Sequence, residues 1–294
     1  MHIAIIQRIM GQFLMLFSFT LLPPVLIDIY YQEGAANAFF YSYLLLLLVG
    51  ILLFLPVKNK KSDLRLRDGF VVVVLFWLVL GFAGALPFIL YEKLDVSVTD
   101  ALFESISGLT TTGATVLIGL DNLPHGILFY RQELQWLGGM GIIVLAVAVM
   151  PMLGIGGMQL YKAEAPGPAK DSKLTPRIAE TAKALWYIYL WLTIVCALAY
   201  WLAGMNLFDA VAHSFSTVAI GGFSTHDASI GYFDNPMVEA VAIVFMFLGA
   251  VNFALHFSVV RSKNPLHYFR DAEFKFYASL LIIISALSVY ALYH

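Results

Sequence analysis

The sequence predicts an all-α polytopic membrane protein in which a two-helix hairpin precedes repeated span–loop–span units. The 294 residues are 61% hydrophobic and 12% charged, with a mean hydropathy of +0.83. Soluble domains carry about 45–50% apolar and about 25% charged residues. The apolar residues form runs of about twenty, the length that a helix needs to cross a bilayer. The basic residues collect between these runs, as they do in cytoplasmic loops.

Seven segments have the length and composition of membrane spans. They cover roughly 9–30, 38–57, 69–91, 127–152, 181–204, 236–260 and 272–293. Pro23 and Pro24 are expected to kink the first span, and Pro151 to kink or end the fourth. Arg8 precedes an apolar stretch without a small-residue cleavage site, which indicates a retained span and not a cleaved signal. We therefore expect residues 1–57 to form a helical hairpin.

Two further apolar segments, 100–117 and 209–224, are short and rich in Ser, Thr and Gly. Clusters of Lys and Arg lie before, between and after them, at 58–67, 162–183 and 261–275. Basic loops stay in the cytoplasm. All three clusters share that side only if each short segment enters and leaves the membrane on the outer face. Such re-entrant backbone is tolerated where it is buried in protein or lines a water-filled cavity. The same reasoning predicts a cytoplasmic N-terminus.

An internal repeat relates the two short segments. An offset of 109 residues aligns them without a gap, and Trp77 falls on Trp186. The matched residues are Asp100, Ala101, Ser105, Ser107 and Gly113 with Asp209, Ala210, Ser214, Ser216 and Gly222. We interpret this as a duplication. The repeats are predicted at 68–152 and 178–260, and residues 270–294 are interpreted as the first helix of an incomplete third repeat.

Each short segment has the features of a helix followed by an exposed backbone loop. Asp100 and Asp209 are predicted to cap the two helices by accepting their free N–H groups. A helix that ends inside the membrane directs the negative end of its dipole inward. The stretches that follow, 110–113 and 219–222, contain glycine, which permits positive φ. A row of carbonyl oxygens replaces the hydration shell in a potassium filter. The alternative is that these small residues only let helices pack closely.

At these residues the sequence resembles a known family. FESISGLTTTGATVL at 103–117 and SFSTVAIGGFST at 214–225 are similar to the first two filter loops of the Trk/Ktr/HKT potassium transporter superfamily. LQWLGGMGI at 134–142 resembles the helix after the first filter, and the N-terminal hairpin and the charged 162–177 loop resemble the TrkH branch.

This resemblance implies a potassium-channel-like protein with four span–loop–span units around one pore. It implies potassium as the transported ion, contact with membrane lipid, a homodimer, and a cytosolic nucleotide-binding regulator of the TrkA type. It also implies a filter of backbone carbonyls, with potassium at Thr111, Thr112, Ile220 and Gly221. The carried-over filter residues are Thr111, Thr112, Gly113, Ile220, Gly221 and Gly222.

Other functions remain as alternatives. The chain has two loops where the family has four, so we expect a fragment or a truncated product in preference to a pair of copies. A non-transporting fragment or assembly partner is therefore the second hypothesis. A membrane enzyme is a weaker one, because the histidines are scattered and no nucleophile–base spacing appears. The net charge of −2 gives no case for nucleic-acid binding, and no organic cofactor is expected.

Several polar residues inside the apolar segments also need an interpretation. Glu104 is expected to brace the first filter loop, and Arg131 and Glu133 are expected to be interfacial or paired groups. Asn252 and His256 are expected to lie on one face of the sixth span and to form hydrogen bonds between helices.

Overall fold

The computed structural model describes residues 2–60, 66–141 and 178–293. Within these ranges it contains helices and loops and no strand, so the predicted all-α class is confirmed. The α-helices are α1 (Ile3–Phe19), α2 (Leu22–Tyr31), α3 (Ala36–Phe54), α4 (Leu66–Leu90), α5 (Val98–Leu109), α6 (His125–Gly139), α7 (Ile178–Leu202), α8 (Leu207–Val218), α9 (Pro236–Ala250), α10 (Phe253–Ser262), α11 (Leu266–Arg270) and α12 (Ala272–Tyr293).

Five of the seven predicted spans correspond to helical segments long and apolar enough to cross a membrane. Among the described residues these are Ile3–Tyr31, Ala36–Val57, Asp68–Leu90, Lys183–Leu202 and Ala272–Tyr293. The kink expected at Pro23 and Pro24 appears as a break between α1 and α2, with proline in the first turn of α2. The first turn tolerates proline because its N–H groups have no helical partner.

The fourth predicted span is described only in part. Helix α6 covers its first half. Pro151, the end of the first predicted repeat and the 162–177 loop lie outside the described residues.

The sixth predicted span is not a single helix. Helices α9 and α10 meet at an angle of 92° across a two-residue break. Asn252 Oδ1 accepts a hydrogen bond from Ala254 N at 3.0 Å and so caps α10. His256 Nε2 lies 2.9 Å from the carbonyl oxygen of Leu248, near the end of α9. The expectation of one continuous helix face is therefore wrong. An asparagine side chain can replace the helical partner of a backbone N–H, which favours a new helix start.

Both polar residues nevertheless bond to other helices, as expected. Asn252 Nδ2 donates to Glu273 Oε2 on α12 at 3.3 Å, and His256 Nδ1 pairs with the Tyr268 hydroxyl on α11 at 2.7 Å.

The order of a long helix, a short helix and a second helix occurs twice in the fold. Helix α5 packs against α4 and α6, and α8 packs against α7, α9 and α6. Helix α1 packs against α3 within the N-terminal hairpin and against α4 outside it. Gly11 and Gly50 let α1 and α3 approach closely, because a methyl group on Gly11 would lie 2.8 Å from the Gly50 carbonyl oxygen. Helix α6 contacts both short helices and so links the two halves.

Candidate functional site

Both short helices begin with a reciprocal cap. Ser97 Oγ accepts from Asp100 N at 3.1 Å, and Asp100 Oδ2 accepts from Ser97 N at 3.3 Å. Asn206 Oδ1 accepts from Asp209 N at 2.8 Å, and Asn206 Nδ2 donates to Asp209 Oδ2 at 2.7 Å. Ser97 and Asn206 are therefore the N-caps. The prediction that Asp100 and Asp209 fill this position is wrong by three residues. The Ser-x-x-Asp spacing of a capping box was the available signal.

Both short helices also end in the same way. The N–H of Thr112 bonds to the Ser107 carbonyl at 2.9 Å, and the N–H of Gly221 bonds to the Ser216 carbonyl at 2.8 Å. These bonds close a Schellman-type turn, whose left-handed position usually holds glycine. Here Thr111 (φ 53°) and Ile220 (φ 56°) occupy it. A β-branched residue at positive φ is an outlier, and such strain concentrates at functional sites.

The strained residue begins a three-residue stretch in which the sign of φ alternates along the backbone. Gly113 (φ 76°) and Gly222 (φ 84°) have positive φ, whereas Thr112 and Gly221 do not. Among the described residues, no hydrogen bond ends on the carbonyl oxygen of Thr111, Thr112, Gly113, Ile220, Gly221 or Gly222. Within the described part of the chain, the six residues implied by the resemblance therefore present carbonyl groups that accept no hydrogen bond, three on each loop.

The two loops lie against each other. A methyl group on Gly113 would lie 1.8 Å from the carbonyl oxygen of Gly221, so the first loop requires glycine here. At Gly222 no atom of the described residues lies within 4 Å of the corresponding position. In the described part of the chain, no group of three or more His, Cys, Asp or Glu side chains is placed to hold a metal ion.

Glu104 connects α5 to the first loop, as the sequence indicated. Its carboxylate accepts from Thr115 Oγ1 at 2.9 Å and from Val116 N at 3.2 Å. Arg131 Nε donates to Glu104 Oε1 at 2.7 Å, and both side chains are fully buried. Of the two interpretations offered from the sequence, interfacial or paired, Arg131 is therefore a paired group. Glu133 is also buried, but its Oε2 has no partner among the described residues.

The second loop has an equivalent connection with different chemistry. His213 stands 109 residues after Glu104, and its Nε2 pairs with Ser224 Oγ at 2.9 Å. Ser224 in turn stands 109 residues after Thr115. Each short helix therefore holds the hydroxyl group that follows its own loop.

Helix α6 holds the second loop from the first half of the molecule. Arg131 Nη1 donates to the Ser224 carbonyl at 2.8 Å, and its guanidinium carbon lies 4.4 Å from the centroid of the Phe223 ring. Gln135 Oε1 accepts from Phe223 N at 3.0 Å. Sequence reasoning missed Gln135. An amide inside an apolar helix was the only signal.

Glycines bring the second helix of each half onto the end of the short helix. A methyl group on Gly138 would lie 1.9 Å from the Leu109 carbonyl oxygen. One on Gly249 would lie 2.7 Å from the Val218 carbonyl oxygen. Leu109 and Val218 are the last residues of α5 and α8.

A polar network joins the loops that follow the two short helices. His226 Nδ1 lies 2.5 Å from Asp121 Oδ1, and its Nε2 lies 3.2 Å from Asp209 Oδ2. The His226 ring stacks on Tyr232 with centroids 3.5 Å apart. The hydrogen bond from His226 lowers the pKa of Asp121, which lies in the loop before α6. The loop of the first half is thereby tied to α8 of the second.

Paired short helices that end in free backbone carbonyls, each between longer apolar helices, define a pore-loop type of helical membrane protein. A comparison with family models identifies its kind. The chain belongs to the TrkH family, described as cation transport protein, whose model matches residues 35–293.

Named relatives are similar over most of this chain. The Trk system potassium uptake protein TrkH of Vibrio parahaemolyticus is 58% identical over 281 residues, which cover 95% of this chain and 58% of that protein. The Trk system potassium uptake protein TrkH of Escherichia coli K12 is 55% identical over 290 residues. These residues cover 98% of this chain and 60% of that protein. The crystal structure of the potassium transporter TrkH from Vibrio parahaemolyticus matches with a TM-score of 0.84 and 54% identity, covering 96% of this chain and 57% of that one. The chain thus spans less than two thirds of these relatives.

Proposed function

We propose that this chain contributes to potassium uptake across the cell inner membrane. The single observation that carries the proposal is the pair of strained loops with free carbonyl groups at 111–113 and 220–222. Carbonyl oxygens replace the hydration shell of a potassium ion, and the negative end of a helix dipole favours a cation. The names of the relatives, which include potassium uptake, support the choice of ion.

The proposed ligands are the backbone carbonyls of the six loop residues. Thr111, Thr112 and Gly113 supply them from the first loop, and Ile220, Gly221 and Gly222 from the second. Potassium is bound chiefly at Thr111, Thr112, Ile220 and Gly221. An inside-negative membrane potential contributes about 2.3 kcal/mol per charge per 100 mV to inward movement.

The domain organisation and topology are part of the same proposal. A hairpin at 1–57 precedes repeats at 68–152 and 178–260, and 270–294 is the first helix of a third repeat. Both short helices enter from the outer face, and the N-terminus is cytoplasmic. We further propose a homodimer that binds a cytosolic nucleotide-binding regulator of the TrkA type. The relatives are named as parts of a Trk system, which supports more than one component.

Two glycines of similar conformation provide a matched test of the ion site. Gly113 (φ 76°) lies against the Gly221 carbonyl, whereas at Gly119 (φ 71°) no atom of the described residues lies within 4 Å of the Cβ position. The protein is expressed from its full coding sequence in bacteria that lack their own potassium uptake, and uptake of potassium and sodium is measured. Gly113→Ser is expected to lower the potassium-to-sodium uptake ratio at least about tenfold, because it displaces a carbonyl of the filter. Gly119→Ser carries the same φ penalty and should keep the ratio.

Two results would contradict the proposal. Absence of potassium uptake by the wild-type protein would overturn the function. Equal uptake ratios in Gly113→Ser and Gly119→Ser would overturn the assignment of the ion site.

A further inference from the structure

The side chain of Gln135 reaches the second loop from a helix of the first half. It is fully buried, and its Oε1 accepts from Phe223 N at 3.0 Å. It also lies against Gly221, where a methyl group would be 2.3 Å from Gln135 Cδ. The amide therefore fills the space directly behind the loop and holds one of its N–H groups.

Peptide geometry links this hydrogen bond to a proposed ion ligand. The peptide bond between Gly222 and Phe223 is planar and trans, so its C=O and N–H point in opposite directions. Holding the Phe223 N–H toward α6 turns the Gly222 carbonyl away from α6. Gly222 has positive φ, and among the described residues no atom lies within 4 Å of its Cβ position, so no contact at that position fixes this peptide. The hydrogen bond from Phe223 N to Gln135 is therefore the direct restraint on this peptide, beside the contacts that Arg131 makes with the Phe223 ring and the Ser224 carbonyl.

We propose that Gln135 is a positioning residue that sets ion selectivity by orienting the Gly222 carbonyl. The proposal rests on the proposed function, because it assumes that this carbonyl contacts the ion. In this proposal, helix α6 orients a carbonyl of the second loop through the hydrogen bond between Gln135 and the backbone N–H of Phe223. The ligand concerned is a dehydrated monovalent cation, and the discrimination is between potassium and sodium.

The same helix supplies a matched control. Gln132 is one turn before Gln135 and is equally buried, but its amide nitrogen and oxygen have no partner among the described residues. Substitution by methionine keeps the length of either side chain and removes the amide.

The experiment compares these variants in the protein expressed from its full coding sequence, with potassium and sodium uptake measured on the same cells. Gln135→Met is expected to raise both the KM for potassium and the sodium-to-potassium uptake ratio by about tenfold, because the carbonyl loses its fixed orientation. Gln132→Met should stay within about twofold of the wild-type ratio. A ratio does not depend on how much protein reaches the membrane. If Gln135→Met does not accumulate, Gln135→Asn withdraws the oxygen by about 1.5 Å and should raise the ratio in the same direction.

The outcomes separate the two proposals. A wild-type protein that does not favour potassium contradicts the proposed function. A selective wild-type protein in which Gln135→Met behaves like Gln132→Met overturns the role of Gln135.

Discussion

Arg131 Nε lies 2.7 Å from Glu104 Oε1, and neither side chain is exposed. The same guanidinium reaches Thr115 Oγ1 at 3.1 Å and the Ser224 carbonyl at 2.8 Å. One buried charge pair therefore connects α5, α6 and the segments that follow both loops. Removing one member of such a pair leaves the other charge buried without compensation.

Arg131→Met and Glu104→Gln are each expected to lower the free energy of unfolding by about 3–5 kcal/mol. The double variant should lose less than the sum of the two, because no charge is then left unpaired. Chemical denaturation of the detergent-purified protein measures all three. Glu92→Gln, at an exposed acid before α5, serves as the control and should have little effect. Strict additivity of the two single changes would contradict the coupling.

Much of the helical architecture could be predicted from the sequence, because membrane spans require long apolar runs. The two short helices were also located correctly, since charge distribution and the 109-residue offset both single them out. The predicted N-caps, Asp100 and Asp209, lie three residues after the observed N-caps, Ser97 and Asn206. The sequence pattern drew attention to the repeated acidic residues and not to the polar residue before each. The capping-box spacing supplies the correct assignment.

The less predictable features depend on tertiary contacts. The break between α9 and α10 contains no proline, and the apolar composition continues across it. It is stabilised by the cap that Asn252 provides and by the bond from His256 to Leu248. In a similar way, no local pattern distinguishes Gln135 from Gln132. Only the position of Phe223 beside α6 decides which amide has a partner.

Gly138 is expected to tolerate no side chain. A methyl group there would lie 1.9 Å from the Leu109 carbonyl oxygen, which belongs to the backbone and cannot move without shifting α5. Gly138→Ala should therefore lower the free energy of unfolding by about 3 kcal/mol, at the upper end of the range for overpacking. Gly231→Ala is the control, because no atom lies within 4 Å of its Cβ position. Thermal denaturation in detergent compares them, and equal midpoints would contradict the close contact.

The contact between Asp121 and His226 is expected to depend on pH. The hydrogen bond lowers the pKa of Asp121, so the folded protein favours the ionised carboxylate. The contact therefore stabilises the fold above the ordinary aspartate pKa of about 3.9, and the stabilisation is lost as the pH falls through the lowered value. Asp121→Asn should reduce the midpoint of thermal unfolding at neutral pH and have no effect once the wild-type carboxyl is protonated. Glu92→Gln controls for the loss of one negative charge. If the midpoint of thermal unfolding of Asp121→Asn differs from that of the wild type by the same amount across this pH range, the ionised Asp121 carboxylate is not the source of the stabilisation.

Ile220 offers a test of whether the backbone strain is real. Its side chain is 44% exposed, while its φ of 56° places a β-branched residue in the left-handed region. That conformation costs about 1–2 kcal/mol, which glycine avoids, whereas glycine in place of a larger residue costs about 0.5–1 kcal/mol of chain entropy. Ile220→Gly should therefore leave the free energy of unfolding unchanged or raise it by about 1 kcal/mol. Ile118→Gly is the matched change, because Ile118 is 86% exposed and does not have positive φ. It should lose about 0.5–1 kcal/mol. A greater loss at residue 220 than at residue 118 would mean that contacts of the Ile220 side chain, such as the one with Gly249, outweigh the strain.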